Sequence, residues 1–145
     1  CSASESTMFR AMAARSNFLA QDRSDTGYAA KELCRDMSKP NSQSWAKLKR
    51  LGRYLVAHPR RVTEFNYQST ANVITVHVYS DYAGCLKTRK STSGGIITIG
   101  SHAIRHWSST QAVIALSSGE AEYYAIVKGG ANAMGVKGFM VDLGV

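Results

Sequence analysis

The feature that most restricts the fold of this 145-residue chain is a change in the spacing of its apolar residues near residue 62. Before that point, apolar side chains recur every three or four residues, which is the spacing of a helix with one buried face. After it, the run Val73–Tyr79 is rich in β-branched residues and partly alternating, as is typical of a strand. The spacing therefore predicts an α/β (α+β) chain with two units, a helical unit at 1–62 and a unit of strands and helices at 63–145.

Three helices are predicted in the first unit. They are expected to end near Asp22, at Pro40 and near Ala57. Polar residues that favour helix N-termini precede each of them. The expected caps, in chain order, are Ser6 or Thr7, then Asp25, then Asn41 or Ser42. The third helix carries an apolar stripe formed by Trp45, Leu48, Leu51 and Leu55.

Short strands and one main helix are predicted in the second unit. The strand that ends at Tyr79 leads directly into Ser80 and Asp81. A helix is expected from 119 to about 134, followed, after two glycines, by a short helix at 139–143. Other strands are expected at 64–68, 96–99, 103–107 and 112–116.

Positive charge is concentrated in the first unit. The chain carries a net charge of +8, and residues 1–62 hold 12 basic and 5 acidic residues. This balance favours a polyanion or an anionic membrane as a partner. Arg50 and Arg53, on the third helix, are candidates for sequence-independent contact with nucleic-acid phosphates. A solvated helix face is the alternative, and no base-reading motif is present.

Several other classes of protein are disfavoured by the sequence. No apolar run approaches the roughly 18 residues that a membrane span needs, so no membrane-spanning segment is expected, and no membrane is predicted among the partners. The three cysteines and four histidines lack zinc-ligand spacing, which excludes a structural zinc site. The odd, widely spaced cysteines indicate a reducing, intracellular compartment. The first residue is Cys rather than Met and no signal peptide is recognisable, which suggests a piece of a longer protein.

Two acidic residues are candidates for chemistry. Asp81 follows the most apolar strand, where a carboxylate lies at the sheet end, although it is equally consistent with an aspartate that forms its own turn. Ser117 and Glu120 match a helix capping box, which gives that glutamate a structural role. Glu122 lies one turn before Ile126, so it either faces apolar surface, where a carboxylate needs a partner or a cation, or lies at the margin of the interface.

A basic loop lies between Asp81 and the main helix. Residues 87–95 contain three cations, four hydroxyls and two glycines. Side chains and exposed amides of this kind bind phosphate groups in proteins. A solvated hairpin loop is the alternative interpretation.

Four linked segments resemble the ribonuclease H region of Copia-type retrotransposon polyproteins. These segments, in chain order, are 81–84, 89–95, 107–109 and 115–123. The first unit resembles the end of the reverse transcriptase and its connection. The resemblance covers most of the chain, and the order and gaps of the four segments agree with the family.

The resemblance implies the first part of a ribonuclease H-like fold, with a mixed three-stranded sheet and a helix, incomplete at the C-terminus. Such domains hydrolyse the RNA strand of RNA–DNA hybrids during reverse transcription, using two Mg²⁺ ions (or Mn²⁺) held by acids. Asp81 would be the ligand on the strand and Glu122 the ligand on the helix. The implied phosphate contacts are Lys87, Arg89, Lys90 and Ser91.

The resemblance also implies partners and a location. The partners are an RNA–DNA hybrid and the remainder of the polyprotein, including reverse transcriptase and integrase. The location is intracellular, in cytoplasmic virus-like particles or in the nucleus.

Two further acids of the family would follow the helices, but the chain stops at Val145, and Asp142 is assigned to the last helix. We therefore expect little or no nuclease activity from this chain alone, and an exposed sheet edge. An inactive basic nucleic-acid-binding relic of a retroelement is the alternative. A third possibility is a non-enzymatic helical scaffold or membrane-surface protein.

Overall fold

A computed structural model describes residues 2–69 and 72–144, so Cys1, Thr70, Ala71 and Val145 lie outside the described residues. Within the described residues there are four α-helices, three β-strands and a 3-10 helix at Ser24–Thr26. The helices are α1 (Ala3–Leu19), α2 (Gly27–Arg35), α3 (Ser42–Ala57) and α4 (Ser118–Asp142). The strands are β1 (Ile74–Asp81), β2 (Thr92–Ile99) and β3 (His102–Thr110). The chain divides into two compact units, Cys1–Glu64 and Phe65–Val145.

Helices α1, α2 and α3 pack around a small apolar core in the first unit. Phe9 of α1 and Leu33 of α2 are almost completely buried, and the ring of Phe9 meets that of Trp45 edge-on at 5.9 Å between centroids. The predicted stripe on α3 is confirmed, because Leu51 belongs to this core. The other stripe residues pack against it, namely Trp45, Leu48 and Leu55.

The helix caps agree with the sequence only in part. Asn41 caps α3 as predicted, since its side chain accepts a hydrogen bond of 3.0 Å from the backbone N–H three residues on. The prediction for α1 was wrong, because Ser2 is the cap rather than Ser6 or Thr7. Ser2 forms a complete capping box with Glu5, which satisfies two backbone N–H groups at once. The helix therefore begins one turn earlier than predicted.

Asp25 joins an ion-pair network instead of capping α2. Its carboxylate accepts two hydrogen bonds from Arg23 and one of 2.7 Å from the Tyr54 hydroxyl. Arg23 also donates to the carbonyl of His58 at 3.0 Å. The network ties the turn before α2 to the C-terminal end of α3, and both charged side chains are about nine-tenths buried.

The sheet of the second unit is antiparallel throughout, in the order β1-β2-β3. The predicted mixed sheet was therefore wrong, and the reason is that each strand is joined to the next by a short connection, which favours antiparallel pairing. In the described residues, β1 and β3 each pair with β2 alone, so both are edge strands. Helix α4 packs on the face of the sheet that carries Val76 and Val78 of β1.

Two predicted strands and one predicted helix break are absent from the described residues. Segments 64–68 and 112–116 are irregular, because their contacts are made by side chains rather than by a backbone ladder. Helix α4 continues through Gly135 and Gly138 to Asp142. Each glycine costs about 1 kcal/mol in a helix interior, a cost that the packing of the helix offsets.

Candidate functional site

Asp81 occupies the last position of β1, opposite Thr92 of β2. The carboxylate accepts a hydrogen bond from the backbone N–H of Thr92 and is half-buried. It also lies against Gly84, where an added Cβ atom would overlap a carboxylate oxygen, so a larger residue at 84 would displace the carboxylate. Asp81 thus closes the turn at the sheet end while part of its side chain remains exposed to solvent.

The basic loop is folded onto the sheet end by two of its own polar groups. Ser91 is fully buried, and its hydroxyl accepts a 3.0 Å hydrogen bond from the backbone N–H of Ala83. The Lys90 ammonium donates to the carbonyl of Ala112 at 2.5 Å. Ser91 therefore offers no surface to a phosphate in this conformation. Lys87 and Arg89 are the predicted phosphate contacts whose side chains are exposed.

The N-terminus of α4 is fixed at the same end of the sheet. Ser117 caps the helix, accepting a hydrogen bond of 3.1 Å from the N–H of Glu120. The Glu120 carboxylate accepts from the N–H of Leu116 at 2.6 Å and from the Tyr124 hydroxyl at 3.0 Å. The latter bond raises the pKa of Tyr124 above its usual range. The structural role predicted for Glu120 is present, with the amide of Leu116 as its partner instead of that of Ser117.

Two contacts link this helix terminus to the neighbourhood of Asp81. The hydroxyl of Tyr82, the residue after Asp81, donates to the carbonyl of Leu116 at 3.0 Å. The buried Gln111 side chain donates to the Ser93 hydroxyl at 2.9 Å and to the carbonyl of Ala121 at 2.7 Å. Gln111 was not among the predicted site residues, because a lone glutamine after a strand matches no motif.

Glu122 is exposed and lies at the margin of the interface between α4 and the sheet. The buried stripe of α4 is formed by Ala121, Ala125 and Gly129. Because successive helix residues are rotated by about 100°, Glu122 and Lys128 flank this stripe on opposite sides. Lys128 donates to the hydroxyl of Ser109 on β3, at 2.6 Å. Glu122 therefore lies on the flank toward β1, the strand that carries Asp81.

The described residues do not form a complete metal site. Nowhere in 2–69 or 72–144 do three or more His, Cys, Asp or Glu side chains cluster so that they would hold a metal ion. Carboxylate oxygens suit Mg²⁺, but Asp81 and Glu122 supply only two such groups. The residues present thus do not fit a full two-metal centre.

Arg50 and Arg53 lie in the first unit, on the exposed side of α3. Neither forms an ion pair with a described carboxylate. Among the helices that the structure describes, none is both long enough and apolar enough to cross a membrane.

Comparison with known proteins shows that the chain is similar to transposon polyproteins. It is 30% identical over 141 residues, 96% of its length, to the retrovirus-related Pol polyprotein from transposon RE2 of Arabidopsis thaliana. The polyprotein from transposon RE1 of the same plant is equally similar over the same share of the chain. These homologues are Copia-type retrovirus-related Pol polyproteins, and the chain spans about a tenth of the length of the two.

A third relative is of similar size to this chain. This relative is the secreted RxLR effector protein 161 of Plasmopara viticola. The present chain is 34% identical to it over 104 residues, which are 72% of either protein. No protein-family model matches the chain. No solved structure matches it either.

Proposed function

We propose that the second unit is part of the ribonuclease H-like domain of a retrotransposon polyprotein. The domain would hydrolyse the RNA strand of RNA–DNA hybrids formed during reverse transcription, inside the cell in virus-like particles or in the nucleus. The similarity of the chain to Copia-type Pol polyproteins supports this proposal. Its partners would be the hybrid and the other domains of the polyprotein.

The observation that carries the proposal is the placement of Asp81 and Glu122. Asp81 ends β1, and Glu122 lies on the flank of α4 toward that strand. Hydrogen bonds from Tyr82 and Gln111 hold the N-terminus of α4 at the same end of the sheet. A hydrolase that uses Mg²⁺ needs carboxylates gathered at one edge of its fold. Asp81 and Glu122 would contribute two of them.

The proposal places the remaining metal ligands outside residues 1–145. Mg²⁺ would supply water activation and stabilisation of the leaving oxygen once its ligand set is complete. By itself the chain is expected to hydrolyse no hybrid.

Hydrolysis of a labelled RNA–DNA hybrid tests the proposal. The 145-residue chain and a longer polyprotein segment that contains it are each incubated with Mg²⁺ or Mn²⁺. Activity is expected in the longer segment alone, abolished by Asp81→Asn and by Glu122→Gln. Asp142→Asn, which removes an exposed acid at the end of the same helix, is the matched control and is expected to retain activity.

A second candidate is an inactive basic relic that binds nucleic acid. The absence of a three-acid cluster among the described residues favours it. Retained hybrid binding with no hydrolysis in either segment would support this candidate. Hydrolysis that survives Asp81→Asn would refute the proposed role of that residue.

A further inference from the structure

Helix α3 has a strongly uneven distribution of charge. Its sequence, SQSWAKLKRLGRYLVA, contains four basic residues and no acidic one. The apolar side of the helix is occupied by the core of the first unit, where Leu51 is 6% exposed. The basic residues are therefore confined to the surface that the helix presents to solvent.

Three carboxylates of the first unit form ion pairs with nearby cations. Asp36 pairs with Lys47 of α3 at 2.9 Å. Glu32 pairs with Lys31 and with Arg35 at about 3 Å. Asp25 is bound to Arg23, as described above. Of the basic residues on α3, Lys47 thus has a partner on another element.

Lys49, Arg50 and Arg53, which we call the α3 basic face, form no ion pair with any carboxylate in residues 2–69 or 72–144. All three are exposed. Lys49 and Arg53 are four residues apart, and Arg50 and Arg53 are three apart, so they are neighbours on the helix surface. Like charges at these spacings destabilise a helix by about 0.2–0.5 kcal/mol a pair, so an anion outside this unit would relieve the repulsion.

We propose that the α3 basic face binds the phosphate backbone of nucleic acid without reading base sequence. Lys49 and Arg53 are separated by about 6 Å along the helix axis, so the charges form a line rather than a pocket. A line of cations suits a polymer with regularly spaced phosphates better than a single enclosed anion. A membrane surface fits less well, because an amphipathic helix binds lipid through its apolar face, which α3 buries in the core.

This proposal concerns the first unit and holds whether or not the second unit hydrolyses hybrids. It is tested by measuring binding of the 145-residue chain to labelled RNA–DNA hybrid and to DNA duplexes of two unrelated sequences, over a series of salt concentrations. The test variant combines Lys49→Ala, Arg50→Ala and Arg53→Ala. The matched control removes three other exposed cations by combining Arg15→Ala, Lys39→Ala and Lys137→Ala.

The test variant is expected to flatten the salt dependence of binding to all the duplexes. Loss of three phosphate contacts reduces the magnitude of the slope of log K against log salt concentration by about 2.7. The ratio of the binding constant at about 50 mM salt to that at about 200 mM salt should therefore become about 40-fold smaller. The control variant is expected to change the slope by less than about 1. The double variant Arg50→Lys/Arg53→Lys retains the charges and is expected to retain the slope.

Circular dichroism and tryptophan fluorescence verify that each variant is folded. Equal effects of the test and control variants would show that net charge alone matters, and would overturn the proposal. A loss confined to one base sequence would also overturn it. Test mutations that abolish binding to vesicles of anionic lipid, while leaving duplex binding intact, would overturn it as well, because the face would then serve a lipid surface.

Discussion

The close approach of α4 to β1 gives a quantitative test of the packing that positions Glu122. Gly129 is buried against the sheet, whereas its neighbour Gly130 faces open space. We expect Gly129→Ala to destabilise the second unit and Gly130→Ala to stabilise it. The two variants make the same chemical change one residue apart, so each is the control for the other.

The magnitude follows from the space around each Cα atom. Both substitutions gain about 1 kcal/mol of helix propensity. At Gly129 the added Cβ would lie 2.5 Å from Cγ1 of Val78 and 3.3 Å from Cγ1 of Val76. Valine is stiff about χ1 and cannot swing away, so overpacking costs about 1–3 kcal/mol. The free energies of unfolding of the two variants should therefore differ by about 1–3 kcal/mol, because the propensity gain cancels.

Urea unfolding followed by tryptophan fluorescence measures this difference. The chain has two tryptophans, Trp45 in the first unit and Trp107 in the second. In a Trp45→Phe background, the fluorescence of Trp107 reports unfolding of the second unit alone. Unchanged m values would show that the shift in midpoint is a change in stability.

Equal stability of the two alanine variants would refute the reasoning. It would mean that α4 lies further from β1 than the close approach of Gly129 requires. The placement of Glu122 on the flank toward β1 depends on the same helix position. That result would therefore remove the geometric support for the proposed pair of carboxylates.

Two further predictions concern hydrogen-bond networks. The bonds from Arg23 hold the pKa of Asp25 well below its usual range, so the ionised carboxylate stabilises the fold above about pH 4 and this contribution is lost as the pH falls further. Asp25→Asn should lower the free energy of unfolding by about 2 kcal/mol at pH 7, and this loss should shrink progressively as the pH is lowered below about 4, as measured by urea unfolding; a loss that stays the same down to about pH 2 would contradict it. Gln68 bonds to the carbonyl of Ile99 and the N–H of Ser101, both at 2.9 Å, so Gln68→Ala should cost about 1–2 kcal/mol and speed amide exchange at Ser101. Tyr67→Ala, at a fully exposed neighbouring side chain, should leave that exchange rate unchanged.

Local sequence patterns were sufficient where the deciding contacts are close along the chain. The stripe on α3 and the Asn41 cap follow from helical spacing and from the polar residue after Pro40. The cap of α1 was predictable in principle, because Ser2 and Glu5 have the spacing of a capping box. The prediction failed because Ser6 and Thr7 are equally good caps when the box is ignored.

Patterns failed where side chains from distant positions determine the structure. Segment 112–116 has the apolar composition of a strand, yet its backbone is held by Lys90, 22 residues before Ala112. Ser91 belongs to a segment with the composition of a phosphate-binding loop. Its side chain is nevertheless buried, and its hydroxyl accepts a hydrogen bond from the N–H of Ala83. The candidate acids were found from the sequence, because an aspartate at a strand end and a glutamate early in a helix are local features. Whether another acid among the described residues lies beside this pair depends on how the chain folds, and local patterns do not determine it.

The strand order described for the second unit also bears on how fast it folds. Because β1, β2 and β3 pair in chain order, each pairing closes a loop of about ten residues or fewer, and loops of this size close within about 100 ns. Sheets assembled from consecutive hairpins have low contact order and fold quickly. During synthesis, the hairpins can form as soon as each following strand has left the ribosome, before α4 covers their apolar face. We expect the slowest step in building this unit to be the docking of α4, because its contacts join Gly129 to Val76 and Val78, which lie far away in the sequence.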